Sequence, residues 1–540
     1  MKKTKRMLAI LAAMMMSVTA CSGQGGSQTA GNTSSGAAGQ AETGNEAQAS
    51  QSTEEGTKEH KENLTRKTKE DTFTWALNAE PNNLDPQGTA MINSGMVQKM
   101  IFDTLITSNG DGTYSPCLAT EWEYTDDTTL SMTLRDDVYF HNGEKMTAED
   151  VAFTIQRAAT MPATLPYYKN FDEVNTKAVD DTHVEIKFKT PFAPALNYLS
   201  SVKANIVSKK AVEEMGDEKF ARNPVGTGAF VFKEWVTGDH ITCERNEQYW
   251  GEKPSYKTSI TRFITEDATR SVELEAGGVD GIGDVFGDNA IRLSDTEGCH
   301  LIGGPGMQLT YFVMYDQSEN FKDVRVRQAL AMGVDMKQIV QAAYKGSAKA
   351  AESSMADAVM YYQSQGGYEY NPEKAKELLK EAGKEDLHLT LVIVDMQTAI
   401  DVAQMCQAMW SQIGVTVDIE INDQPTVTER MNNKSIDFTL VQLTAATGDP
   451  DHVYGQFNED SGSIQASTDE TFNRLLQEGR SEMDQEKRAQ IYGELQKYIH
   501  DNVLMIPIAV PNMTFGVRDY VDNLAHDPGN MPNVKTVTFK

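Results

Sequence analysis

An α/β fold is what this 540-residue sequence predicts, and three segments carry the prediction. Leu130, Met132 and Leu134 alternate as in a strand, the turn His141-Asn142-Gly143 follows, and Thr147 stands three residues before Asp150 like a capping box opening a helix. Asn371 and Pro372 start a second helix, which Gly383 stops. From Leu387 to Leu443, strand and helix periodicities alternate, the pattern of a βαβ crossover.

Taken in chain order, the N-terminus comes first. Lys2, Lys3, Lys5 and Arg6 precede an apolar run from Met7 to Ala20 that ends in Val18-Thr19-Ala20-Cys21. The run is short for a membrane span, and small residues before a cysteine look like a bacterial lipobox. Residues 1–20 are therefore expected to be a signal peptide and Cys21 to carry a lipid, which would anchor the chain extracytoplasmically on the outer face of a bacterial cell membrane. Residues 21–70 are Gly, Ser, Thr, Gln, Ala and Glu with almost no large apolar side chains, so a disordered tether is expected.

Asp71 to Leu77 reads as a strand, and Glu80-Pro81-Asn82-Asn83-Leu84-Asp85-Pro86 as a loop of turn formers. Behind the capping box, Val151, Ile155, Ala158 and Ala159 share a helical stripe, as do Ala375, Leu378, Leu379 and Ala382 in the helix after Pro372. Leu387 to Val394 is then a buried strand, Thr398 to Gln412 a helix with Met405, Met409 and Ile413 in line, Val415 to Ile421 an alternating strand, and Ile436 to Leu443 a third strand beside them.

Composition narrows the function. Lys+Arg 49 against Asp+Glu 78 gives a formal charge of −29, which repels nucleic acid. At about 150 residues per domain the body behind the tether makes two or three packed units. Cys117, Cys243, Cys299 and Cys406 are widely spaced, so buried thiols are expected and neither zinc nor a redox pair is. Gly281-Ile282-Gly283-Asp284-Val285-Phe286 puts Phe286 where a dinucleotide loop needs glycine, and reads as a loop between elements. Ser200-Ser201-Val202-Lys203 lacks the companion motif of acyl-transfer enzymes, and Asp449-Pro450-Asp451-His452 reads as a turn in preference to a metal site. No catalytic set, metal or cofactor is expected. Tyr361, Tyr362 and Trp410 read as packing residues before ligand-stacking ones.

The run LRDDVYFHNGEKMTAEDV closely resembles the signature of the family 5 extracellular solute-binding proteins, the peptide and nickel receptors of ABC importers. Glu80 to Pro86, Asn223-Pro224-Val225-Gly226-Thr227-Gly228, Gly277-Gly278-Val279-Asp280 and Val324-Arg325-Val326-Arg327 resemble further phrases of that family, from about Phe73 to the C-terminus. The resemblance implies a two-lobed periplasmic-binding-protein-like fold (type II, cluster C) with an extra subdomain in the first lobe. It places lobe I at 71–96, 223–307 and 511–540, the subdomain at 97–222 and lobe II at 308–510, with crossings near Gly306 to Gln308 and near Val510.

It further implies capture without chemistry: a monomeric lipoprotein that takes an oligopeptide-like solute into an interlobe cleft and delivers it to an ABC permease. A peptide-signal sensor, or a receptor for a metal chelate or oligosaccharide, stays open. In the peptide-binding relatives an extended ligand pairs its main chain with protein backbone. The resemblance puts one contacting edge at Ala90, Met91, Ile92 and Asn93 and the facing one at Thr444, Ala445, Ala446 and Thr447; both also fit ordinary loops ending core strands. Dipeptide-binding relatives hold the ligand amine with an aspartate where this chain has Ala446, and the carboxylate with an arginine that has no counterpart between Asp386 and Glu429. An unpaired buried ammonium costs several kcal/mol, so either another acid such as Asp449 or Asp395 substitutes, or free dipeptides are poor ligands.

Overall fold

The computed structural model describes residues 71–89, 91–458, 464, 466–526 and 531–540. The expected signal peptide, Cys21 and the tether, together with Ala90, lie outside the described residues.

A twelve-stranded mixed sheet organises the described chain. Thr72–Leu77 is buried along its length and runs parallel to Thr258–Phe263 on one side and to Gly281–Ile282 on the other. Gly281 and Ile282, which the sequence places in a loop, can pair there because Gly281 has no side chain: a Cβ would come within 2.6 Å of the Trp75 ring. His240–Arg245 and Phe230–Val236 extend this part of the sheet antiparallel.

Met505–Arg518 is the longest strand in it. Residues 512–518 pair with Cys299–Pro305, and residues 505–509 with Gln308–Met314, both antiparallel. Beyond Gln308–Met314 come Phe438–Thr444, His388–Val394 and Thr416–Asn422, the last three mutually parallel. The crossover predicted from periodicity is therefore present, with the helix Gln397–Gln412 burying Val402, Ala403, Cys406 and Trp410. Trp410 is a packing residue whose Nε1 donates to Leu330 O at 2.9 Å. Asn371 caps the helix Pro372–Glu381 by accepting from Lys374 N at 3.0 Å, and Gly383 leaves it at φ +66°.

A separate four-stranded antiparallel sheet holds Ala119–Asp126, Thr129–Leu134, His183–Lys187 and Lys177–Ala178. The helix Ala148–Ala158 covers it, so that Leu130, Met132, Val151, Ile155 and Phe171 share one apolar core. The capping box is closed: Thr147 N donates to Asp150 Oδ2 at 3.0 Å.

The phrases on which the resemblance rests turn out to be joints. Arg157 of the signature helix forks onto Asp85 of the Leu-Asp-Pro loop, Nη1 to Oδ1 at 2.7 Å and Nη2 to Oδ2 at 2.5 Å, with both side chains buried. Gly226 and Gly228 lie against the backbone of Ile101, where a Cβ would meet main-chain atoms at 2.1 and 2.5 Å. Asp280 accepts from Thr74 N at 2.7 Å and Tyr520 OH at 2.6 Å. Arg327 holds the C-terminal carbonyls of Asn502 and Val503. Cys117, Cys243, Cys299 and Cys406 are free thiols; the last three are buried and Cys117 is half-buried. Among the described residues no helix is long and apolar enough to cross a membrane.

Candidate functional site

Two stretches far apart in sequence close on a common cavity. The loop after Leu77 is tied to the helix Ile92–Ile101 by Asn93, whose amide donates to Asn78 Oδ1 at 2.7 Å and Ala79 O at 2.9 Å. Opposite, Phe438–Thr444 ends beside Gln308, and Ala445 N donates to Met307 O at 2.9 Å before Gly448 turns the chain at φ +71°. Between them lies a cavity of about 420 Å³, inside the range of roughly 300–1,000 Å³ usual for small-molecule sites.

Of the residues expected at the site, Met91, Ile92, Thr444, Ala446 and Thr447 line this cavity. Asn93 and Ala445 do not: the first is spent on the Asn78 loop, and the second is packed fully into the core. Met91 to Asn93 is also the start of a helix, with Met91 at its N-cap, where an extended ligand-pairing edge was expected.

Asp449 is a correction of another kind. It is completely buried and bound in fork geometry by Arg488, Nη1 to Oδ2 at 2.6 Å and Nη2 to Oδ1 at 2.8 Å. Its Oδ1 also accepts from Asp451 N at 2.9 Å and caps the helix Pro450–Tyr454, so the expected turn is a short helix with proline at its first position. Nothing of this carboxylate is left for a ligand amine. Asp395, the other expected substitute, is solvent-exposed and away from the cavity.

The cavity's charge is set by residues that motif reading passed over. Lys99, Lys203, Lys535 and Asp103 are its charged lining residues among those described. Asp103 is occupied: Thr227 Oγ1 at 3.1 Å, Tyr249 OH at 3.1 Å and Trp250 Nε1 at 3.2 Å donate to it, and Lys535 Nζ lies 3.4 Å away. Lys203 Nζ donates to the backbone carbonyl of Thr89. Burial pulls this ammonium down to about 8, with Asp85 opposing the drop. Asn205, 2% exposed, presents an Nδ2 with no partner.

On the facing wall His452 stacks on Tyr167, centroids 5.0 Å apart and planes 7° from parallel. Its Nδ1 is buried without a partner, and burial lowers its pKa to about 4 against the pull of Asp451, so the ring is neutral at pH 7. The walls touch directly as well. Asn197 Nδ2 donates to Thr447 O at 3.0 Å and Tyr198 OH to Asp451 Oδ2 at 2.9 Å. A second cavity of about 540 Å³ shares Tyr167, Gln308, Gln442 and Leu443 with the first, and no charged side chain lines it among the described residues.

The thiol of Cys117, also on the lining, is pushed up to about 12, chiefly by burial, and is inert. No group of three or more His, Cys, Asp or Glu able to hold a metal ion occurs among the described residues. No residue-type pattern announces Lys203, Asn205 or His452. The stretch Ser200 to Lys203 offers only an isolated Ser-x-x-Lys match, and Asp449 to His452 reads first as a turn.

The chain is similar to the dipeptide-binding protein of Escherichia coli (strain K12), 28% identical over 462 residues that cover 79% of this chain and 86% of that one. It is also similar to the nickel-binding periplasmic protein of the same organism, 24% identical over 85% of this chain and 92% of that one. Among solved structures, the periplasmic binding protein DppA from Helicobacter pylori in complex with peptide STSA superposes with a TM-score of 0.76 at 24% identity, covering 87% of this chain and 98% of that one. NikA from Brucella suis in complex with Fe(III)-EDTA gives 0.78 at 22% identity, covering 87% and 100%. These likenesses show the type II periplasmic-binding-protein fold. The family model described as bacterial extracellular solute-binding proteins, family 5 Middle, matches residues 113–465, which hold the signature strand and helix and the cavity wall from Gln442 to Thr447, and the chain belongs to the family 5 extracellular solute-binding proteins.

Proposed function

We propose that this chain is the receptor of an ABC importer, that it captures an oligopeptide-like solute in the paired cavities, and that it passes the solute unchanged to a membrane permease. The observation that carries the reading is the cavity whose opposite walls come from residues 91–205 and 308–452, beside a second, uncharged chamber that shares four of its lining residues. A solute longer than a dipeptide would use both, its polar main chain in the first and apolar side chains in the second.

Bending at residues 306–307, and within Met505–Arg518 near Val510, would open the walls like a clamp, and a bound solute touching both would favour the closed form. The contacts Asn197 to Thr447 and Tyr198 to Asp451 are of the kind that must break on opening. Lobe I would hold residues 71–96, 223–307 and 511–540, the subdomain 97–222 and lobe II 308–510. Lipid on Cys21 would keep this monomer beside its permease.

The test is to release the solute from natively purified protein, identify it by mass spectrometry and return it in a thermal-shift titration. A true ligand raises Tm with concentration and is recovered intact after long incubation. If peptides, metal chelates and oligosaccharides all leave Tm unmoved, the reading fails. Deleting the permease separates transport from sensing: uptake stops for an importer receptor, whereas a binding-dependent response survives for a sensor.

A further inference from the structure

The cavity has a polarity that the peptide reading alone does not supply. Among the described lining residues, three lysines face a single carboxylate, and that carboxylate already serves four donors. A ligand ammonium therefore finds no acid there, since Ala446 stands at the expected position and Asp449 is closed by Arg488. The wall that carries Lys203 is the reverse case. Lys203 and Asn205 stand two residues apart, both on the lining, and Gln87 Nε2 fixes their segment by donating to Lys203 O at 2.9 Å and Asn205 O at 3.2 Å. Lys203 donates to the neutral Thr89 carbonyl, with Asp85 acting on it only at longer range, and Asn205 Nδ2, nine-tenths buried, meets nothing. A half-buried cation and a fully buried amide thus stand side by side with donor capacity unused, and the unpaired buried amide is costly unless a ligand supplies the acceptor.

We infer that Lys203 and Asn205 form an anion subsite that takes a carboxylate of the solute, so that the substrate class is carboxylate-bearing solutes and the ligand's acidic end is held by the subdomain wall. This rests on the reading of the cavity as the capture site. The carboxylate would accept one charge-assisted bond from Lys203 Nζ and one from Asn205 Nδ2, completing both groups at once. The depressed ammonium of Lys203 fits this, because an anion at its side would restore the charged form that burial disfavours. Asp85, the carboxylate that reaches Lys203 electrostatically, is spent on Arg157, while across the cavity Gln308, Gln442, Thr444 and Thr447 are neutral and His452 is uncharged at pH 7.

The full chain is offered two tetrapeptide pools of identical sequences, one with free C-terminal carboxylates and one with C-terminal amides, and retained species are counted by mass spectrometry. Free acids are expected to be enriched about tenfold or more, the worth of one charge-assisted bond, and Lys203→Met is expected to abolish that preference. Equal retention of both pools, or a preference that survives Lys203→Met, overturns the subsite while leaving peptide capture intact. Retention of neither pool counts against peptide capture instead, and the subsite is then decided on wild-type protein by trace acetylation with acetic anhydride at about pH 8, where Lys203 is reactive. Citrate is expected to slow labelling of Lys203 relative to the exposed Lys177; unchanged relative labelling overturns the subsite.

Discussion

Asp449 with Arg488, fully buried, and Lys203 with Asn205, half-buried and buried, are both pairs of polar side chains set into the protein, but they are finished differently. Arg488 gives two bonds to Asp449, gives its Nε to Gly479 O at 2.7 Å, and lies over the rings of Tyr361 and Tyr492. Both charged groups there have their partners inside the protein. Around Lys203 the partners are incomplete, and the incompleteness faces a cavity. The contrast separates architecture from site: a closed polar cluster holds the fold, and an open one waits for something from outside. The sharpest way to break it is Arg488→Met, which leaves the Asp449 carboxylate buried and alone. A loss of about 3–5 kcal/mol in urea unfolding is expected, with partial recovery in Arg488→Met/Asp449→Asn, which removes the orphaned charge and keeps the helix cap. A loss under about 1 kcal/mol would mean that the closed cluster is decorative.

The next effect belongs to the open side. His452 in the unfolded chain takes a proton near pH 6.5, but in the fold only near 4. Between those values the unfolded state binds more protons, so stability falls as the pH drops from about 6.5 to about 4 and is fully present above it, by about 3 kcal/mol in all. Asp451, Tyr198 and the stacked Tyr167 surround the ring, and of these only Asp451 works against the shift. Urea midpoints of wild type and His452→Gln at pH 7 and pH 4.5 check this: the acid loss should shrink markedly in the variant. An identical loss in both would place the acid sensitivity elsewhere.

What the sequence made legible follows the range of the interaction. The crossover His388–Val394, Gln397–Gln412, Thr416–Asn422 was readable because strand and helix periodicities are local, and Thr147 with Asp150 because a capping box spans one turn. Gly281 and Ile282 were misread because their pairing partners lie on Trp75 and Gly516, far along the chain. For the site, resemblance led to Met91, Ile92, Thr444, Ala446 and Thr447, which do meet at one cavity. It could not exclude Asp449, because the arginine that closes it arrives from a helix 39 residues later. Nor could Lys203 be found, since an ammonium's state depends on what surrounds it, and burial is not written in residue spacing.

Glycine positions extend the comparison to packing. Gly226 packs on the helix Ile92–Ile101, where a Cβ would come 2.1 Å from Ile101 O; Gly304 lies in an open strand with nothing within 4 Å of its Cβ position. Gly226→Ala is expected to cost about 1–3 kcal/mol or more by forcing backbone apart, and Gly304→Ala to stay within about 0.5 kcal/mol. Thermal unfolding of the two variants side by side distinguishes a joint from a gap; equal shifts would remove the packing argument for the Asn-Pro-Val-Gly-Thr-Gly phrase.

The smallest stability effect is expected at Lys203, and its smallness is informative. Lys203→Met loses one bond to the Thr89 carbonyl, worth about 1 kcal/mol, but it also removes an ammonium that burial disfavours, so the two terms oppose and the net change should lie within about 0.5 kcal/mol of wild type. Urea unfolding of ligand-free protein measures it. A cost approaching that of Arg488→Met would show that Lys203 is as closed as Asp449, with its charge committed inside the fold. A near-zero cost means instead that the folded chain carries a half-buried cation it does not need for folding, and a group without a structural return is one whose partner comes from solution.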